Sequence, residues 1–218
     1  PGMVAMEYKD RVEAALGKGT VRRRSDRPQA IISAAIRLVG EHGFANTRLE
    51  DVAEAAGVSK AAIYLYFESK EDLFFALVRE GALPTVADTN AAVARHEGSL
   101  SDLLQEIILG IGHLMAHTEL GTIVKIVAAE ARNFPELVTY HRDEVVARAM
   151  TTISGVIEKG IATGEFRPCD ARAQAALCIF PVLMNGIWMN SIGPDPSIVD
   201  PDALLKAHAE TFIRGLAA

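Results

Sequence analysis

Cysteine is almost missing from this chain: Cys169 and Cys178 are the only two. Their spacing matches no zinc or redox pattern, which sets aside a disulfide framework or zinc finger and points to a reducing, cytoplasmic setting. Residues 1–11 lack the basic and then apolar run of a secretory signal. Charges or glycines break the later apolar stretches, so no bilayer span is expected and no membrane partner. Sustained apolar–polar alternation and Asn-Gly hairpin turns are missing as well, which argues against strands. Catalytic signatures are equally scarce. No Gly-x-Ser-x-Gly elbow, phosphate-binding glycine loop or dinucleotide fingerprint occurs, so no enzyme and no cofactor is expected.

An excess of positive charge is also lacking, since the formal net charge is −6. The average conceals an uneven distribution. Between Lys18 and Arg37, six cations face Asp26 alone, and Arg22, Arg23 and Arg24 form an unbroken run. The chain is expected to carry a flexible basic tail over residues 1–24 on an otherwise acidic body.

Apolar residues recur at helical spacing almost throughout, so the fold is expected to be all-α, with a core large enough to need no metal or disulfide. The first helix is expected over 27–42, with Ile32, Ala35, Ile36 and Val39 facing inward and Gly43 ending it. Thr47 reads as the cap of a second helix, paired with Glu50 in a capping box. Gly57 supplies the positive φ of a tight turn, Val58 fills the corner, and Ser59 caps a short third helix ending near Tyr66. Ser69 caps a fourth, which Pro84 kinks or ends. Later helices are expected over 99–117, 122–133, 135–163, 170–191 and 201–216.

Two helices meeting across a tight turn, with small Ala53 at the crossing and Gly57 at the bend, form a helix-turn-helix. Its third helix turns Ile63 inward and leaves Lys60, Ala61, Ala62, Tyr64 and Tyr66 outward. These side chains suit duplex DNA. Lys60 can donate to guanine or phosphate, the alanine methyls can touch thymine methyls, and the tyrosine hydroxyls can bond phosphate oxygens.

The run from Thr47 through Val52-Ala53, Ala56-Gly57-Val58-Ser59-Lys60, Ile63-Tyr64-Leu65-Tyr66-Phe67 and Ser69-Lys70-Glu71-Asp72-Leu73 resembles the tetracycline-repressor (TetR) family of transcriptional regulators. The resemblance covers residues 28–79. It implies a helix-turn-helix domain over 25–70 and a helical ligand-binding and dimerisation domain over 71–218. It further implies a homodimer on a double-stranded DNA operator, with Thr47, Tyr64, Tyr66 and Lys70 on phosphates, Lys60, Ala61 and Ala62 near bases, and Arg48 and Ser59 beside them. Family members often carry glycine followed by threonine or alanine where this chain has Ala61 and Ala62, so one hydroxyl is missing from the reading face.

The C-terminal half offers candidates for both roles the resemblance assigns it. Leu205, Ala209, Phe212 and Leu216 form a stripe suited to an intersubunit four-helix bundle. His113, His117, Phe134, Tyr140, Met184, Asn185 and Trp188 combine apolar bulk with isolated polar groups, as small-molecule sites do. Gly110 and Gly112 mark close helix contact or room for a ligand. His113 and His117 lie one turn apart but lack the glutamate of a zinc protease, so no metal is expected. The leading expectation is a homodimeric repressor released by a small-molecule effector. The alternatives are an activator of the same fold, or a helical small-molecule-binding protein or enzyme that no longer binds DNA.

Overall fold

The computed structural model describes residues 27–193, 195 and 197–218; the expected basic tail at 1–24, with Arg22, Arg23 and Arg24, lies outside them. Among the described residues eleven α-helices follow in order: α1 Arg27–His42, α2 Leu49–Ala56, α3 Lys60–Ile63, α4 Lys70–Gly81, α5 Leu83–Arg95, α6 Leu100–His117, α7 Glu119–Ala129, α8 Pro135–His141, α9 Ala147–Thr163, α10 Ala171–Ser191 and α11 Pro201–Leu216. A π-helical turn, Arg142–Val146, joins α8 to α9. Among the described residues there is no strand, only an isolated bridge between Phe166 and Ala217.

Local chemistry explains most boundaries. The side chains of Ser59, Ser69, Ser99, Asp170 and Asp200 each accept a backbone N–H in the first turn that follows them, satisfying donors that the helix cannot pair internally. Gly57 ends α2 with φ at 67°, the left-handed conformation that a β-carbon disfavours. Pro84 starts a helix instead of kinking one. It stands in the first turn of α5, where a missing N–H costs nothing. The helix expected at 122 begins earlier, at Glu119, because the Thr118 hydroxyl accepts from Leu120 N–H.

Two apolar cores share the molecule. The first joins α1, α2, Ile63 and α4 to the end of α6, to α7 and to Leu137 of α8, so the apolar interior does not break at residue 70. The second joins α6, α9, α10 and α11. Ile111 and Leu183 pack against both. Gly112 is the close-contact glycine: a β-carbon there would lie 2.5 Å from a Leu205 methyl, whereas Gly110 has open space around the same position. The absent side chain lets α11 settle against α6.

The stripe on α11 is corrected by this packing. Leu205, Ala209, Phe212 and Leu216 are all buried within the chain's own second core, covered by α6 and α10, and are not available to a partner. Helix α10 departs from expectation too: with 21 residues and a mean hydropathy of 1.2 it is long and apolar enough to cross a membrane by length and composition. It packs along α6, α7, α9 and α11, and its apolarity comes from having two apolar faces, one in the core and one at the surface.

Candidate nucleic-acid interface and effector pocket

The third helix is held from below by Ile63, which is fully buried, and by Phe67 just beyond its end. Tyr64, between them in the chain, is 45% exposed, and Lys60, Ala61 and Tyr66 also face solvent while Ala62 is half-buried. One feature was not expected. The Glu50 carboxylate on α2 accepts from both Lys60 Nζ, at 2.9 Å, and Tyr64 Oη, at 3.1 Å, through the same oxygen. These contacts, the Lys60 hydrogen bond foremost, hold the Glu50 carboxyl down at about 2. Sequence reading assigned Glu50 to a capping box; the box belongs one residue later, where Asp51 accepts from Arg48 N–H at 3.2 Å. That register frees the Glu50 side chain to reach α3.

Thr47 is corrected for the same reason. It is buried, and its hydroxyl donates to the Gly43 carbonyl at 2.9 Å, so it closes the turn between α1 and α2 and caps neither. Lys70 is half-buried, donates to the Ala45 carbonyl at 3.2 Å and lies 4.3 Å above the Phe44 ring, a cation–π contact. Desolvation lowers its pKa. Arg48 is exposed, and Ser59 accepts from Ala62 N–H while remaining at the surface. Over residues 27–70 five cations meet five acids, so the described head is electrically neutral and the excess of arginine precedes it.

The residues expected to line one effector cavity are scattered. His113 and His117 are exposed, their rings 4.6 Å apart; His117 lines a surface cleft of about 530 Å³ between α1 and the α6–α7 junction, together with Arg37, Glu41 and Lys125. No group of three or more metal-ligating side chains occurs among the described residues. Phe134 joins the first core, edge-on to Phe44 at 4.5 Å and to Phe74 at 5.7 Å, and Tyr140 lies edge-on to Phe75 at 5.7 Å. Met184 is 61% exposed on the far side of α10. Only Asn185 and Trp188 remain as interior polar groups, and both lack partners: Asn185 Nδ2 and Oδ1 and Trp188 Nε1 are buried with no hydrogen bond. His141 Nδ1, beside the π-helical turn, is in the same state, and burial lowers its pKa.

Residues 31–77 match the model of the bacterial regulatory proteins of the tetR family, and residues 102–213 match that of the AefR-like transcriptional repressor C-terminal domain. The chain is a TetR-family transcriptional regulator. It is 27% identical over 196 residues to the uncharacterised HTH-type transcriptional regulator YfiR of Bacillus subtilis, covering 87% of this chain and 92% of that protein. To RutR of Escherichia coli it is 48% identical over 56 residues, 26% of each chain. Its fold is similar to that of the B. subtilis regulator FadR in complex with stearoyl-CoA, at TM-score 0.70 and 21% identity over 86% of this chain and 98% of that one.

For a TetR-family chain the surface of α10 is the most informative feature that sequence reading missed. Leu177 and Phe180 are 57% and 58% exposed and, with Met184, line one side of the helix at spacings of three and four residues. Leu204 of α11 is an exposed apolar residue as well. Three large apolar side chains in a row on a rigid helix are unusual on a free surface. The pattern was hidden because α10 is apolar on both sides, so periodicity could not single out either face.

Proposed function

We propose that this TetR-family regulator is a homodimeric repressor that occupies a near-palindromic operator through two α3 helices and leaves it when a small molecule binds among the C-terminal helices. The observation that carries the reading is a solvent-facing α3 anchored by Ile63 in a core that continues into α7 and α8. A head fixed in that way cannot tilt without those helices, and their displacement by a ligand reaches it.

In this reading Lys60, Ala61 and Ala62 approach base edges, while Arg48, Ser59, Tyr64, Tyr66 and Lys70 serve phosphates. Thr47 supports them by closing the turn beneath. A second copy covers Leu177, Phe180 and Met184, because a two-fold axis beside α10 sets this stripe against itself and makes a four-helix bundle with α11. The stripe supplies the apolar centre that a dimer interface of about 800 Å² per partner needs. The binding of stearoyl-CoA by the similarly folded B. subtilis regulator supports a small-molecule effector here, of chemistry set by this chain's own residues.

Selection of bound sequences from random duplex DNA tests the reading. The expected product is an inverted repeat whose half-sites lie about 34–36 Å apart, or a multiple of one helical turn. Recovery of no motif, or of a single unpaired half-site, refutes the dimeric repressor; a motif lying only upstream of promoters redirects it to activation.

A further inference from the structure

Among the described residues three polar residues are buried, Thr47, Ser154 and Asn185, and no charged one is. Thr47 and Ser154 donate to main-chain carbonyls of Gly43 and Thr151. Asn185 differs. It is 3% exposed, yet neither end of its amide has a partner. Trp188 stands three residues on, one turn along the same side of α10, with its indole N–H also buried and unpaired. This part of α10 runs along the seam where Leu183 touches both cores. A buried amide without partners is costly to keep, and two adjacent residues in that condition define a polar point in an apolar layer, the arrangement that fixes the orientation of a small ligand.

The chemistry of the missing partner follows from the atoms. Asn185 offers one acceptor and a donor side by side, and Trp188 offers a donor only. Lys125 donates to the Asn190 carbonyl at the end of α10, 2.8 Å away, and lines the surface cleft. Among the described residues no lysine or arginine is buried to balance a carboxylate, and an unpaired buried charge is far costlier than a neutral polar group. We propose that Asn185 and Trp188 bind the neutral amide end of the effector, a primary carboxamide, lactam or urea, with Asn185 pairing to its N–H and C=O and Trp188 donating to the same carbonyl. This assignment rests on the effector-responsive reading above and names the ligand class for it.

Trp188 is the chain's only tryptophan, so intrinsic fluorescence of the full-length protein reports directly on the site. The probes are two matched pairs, benzamide against benzoate and δ-valerolactam against pentanoate, titrated at neutral pH. The amides are expected to shift and quench Trp188 emission saturably, the carboxylates not. Asn185→Leu should abolish the shift and, in ligand-free protein, raise the unfolding midpoint by about 2–4 °C, because a leucine leaves no unpaired amide. Trp188→Phe, followed by thermal shift, should lose most of the stabilisation by amides. Equal responses to amides and carboxylates, no response to either amide, or an Asn185→Leu variant that is destabilised and still responds, overturns the proposal. Amide binding by a protein that ignores every duplex would leave this site standing and refute the repressor; duplex binding without amide binding would do the reverse.

Discussion

Replacing Glu50 by glutamine should make the protein bind DNA more tightly and less selectively. In the free protein one carboxylate oxygen holds both Lys60 Nζ and Tyr64 Oη, and with its carboxyl held at about 2 it is ionised at any pH used for DNA binding. If α3 reads DNA as proposed, Lys60 meets the duplex with its charge locally cancelled. The pair lies at the surface, with Lys60 exposed and Glu50 half-buried, and surface ion pairs are weak, so a phosphate can displace the carboxylate, but the negative charge then stays beside the backbone. Glutamine keeps the length and the acceptor and removes that charge. Each cation released to neutralise a phosphate steepens the dependence of log affinity on log salt by about 0.9, so two Lys60 side chains in a dimer steepen it by about 1.8. Between about 200 mM and about 50 mM salt the advantage of Glu50→Gln over the parent should then grow by roughly twelve-fold. Selectivity should fall, because a neutral amide acceptor holds Lys60 and Tyr64 less firmly in the orientation proposed for reading DNA. Fluorescence anisotropy with a random-sequence duplex and a selected one, across a salt series, measures both effects. An unchanged salt slope would refute the reasoning, since it would mean that the Glu50–Lys60 pair does not face DNA.

Phe180→Glu places a charge in the exposed stripe of α10 without touching either core; sedimentation should show a monomer with a native circular dichroism spectrum and lost operator affinity, and a persistent dimer would move the interface elsewhere. His141 gives a pH dependence of known sign. Its pKa is lowered from 6.5 by burial, so the unfolded chain takes up the proton first as pH falls; stability is intact above about 6.5 and declines below it until the lowered folded value is reached. Thermal unfolding from about pH 8 to about pH 5 should show this decline, and His141→Gln should flatten it; an equal slope in both proteins would assign the effect to other groups. Phe134→Ala removes an aromatic wedge held by Phe44 and Phe74. Since Phe134 is only half-buried, the cost should be about 2–3 kcal/mol, below that of a fully buried phenylalanine, lowering the unfolding midpoint by about 5–10 °C. Calorimetry checks the cost, and a change within error would show that α8 does not brace the head.

The head was the most legible part of the sequence because its structure is set locally. Ser59, Ser69 and Gly57 act on their own neighbours within one turn, so their residue types alone gave the boundaries that the coordinates show. Local rules failed where two readings compete within one turn. Thr47 and Arg48 can each precede a helix, and burial of the Thr47 hydroxyl against Gly43 decided for the later start. The expected helix over 135–163 runs uninterrupted, but its π-helical turn carries no proline or glycine and left no local signal. In the C-terminal half, periodicity identified apolar faces but not their covers. The α11 stripe and the outer side of α10 both read as apolar, and only tertiary packing assigns the first to the chain's own core and leaves the second bare. Asn185 and Trp188 were found as polar interruptions of an apolar helix. His141 was missed, because a histidine near other polar residues in the last turn of a short helix has no distinguishing pattern.

In the repressor reading proposed above, the same packing lets a ligand in the body govern a head that is electrically neutral over residues 27–70. In that reading affinity depends on how well two α3 helices fit successive grooves, and so on their separation. Helix α4 is the lever. It begins at Lys70, whose ammonium group rests on the Phe44 ring, and carries Phe74 and Phe75, which meet Phe134 and Tyr140 of the α8 region. His141 and the π-helical turn follow Tyr140 directly. A helix of twelve residues is about 18 Å long, so a tilt of about 5° about its Gly81 end displaces Lys70 by roughly 1.5 Å. Displacements of that size are what packed helices at interfaces undergo when a ligand shifts them. Applied with two-fold symmetry, they change the spacing of the recognition helices by twice as much, whereas the DNA repeat they must match stays fixed. Release by an effector, as proposed, therefore requires no unfolding of the head, only an altered seating of α8 against α4.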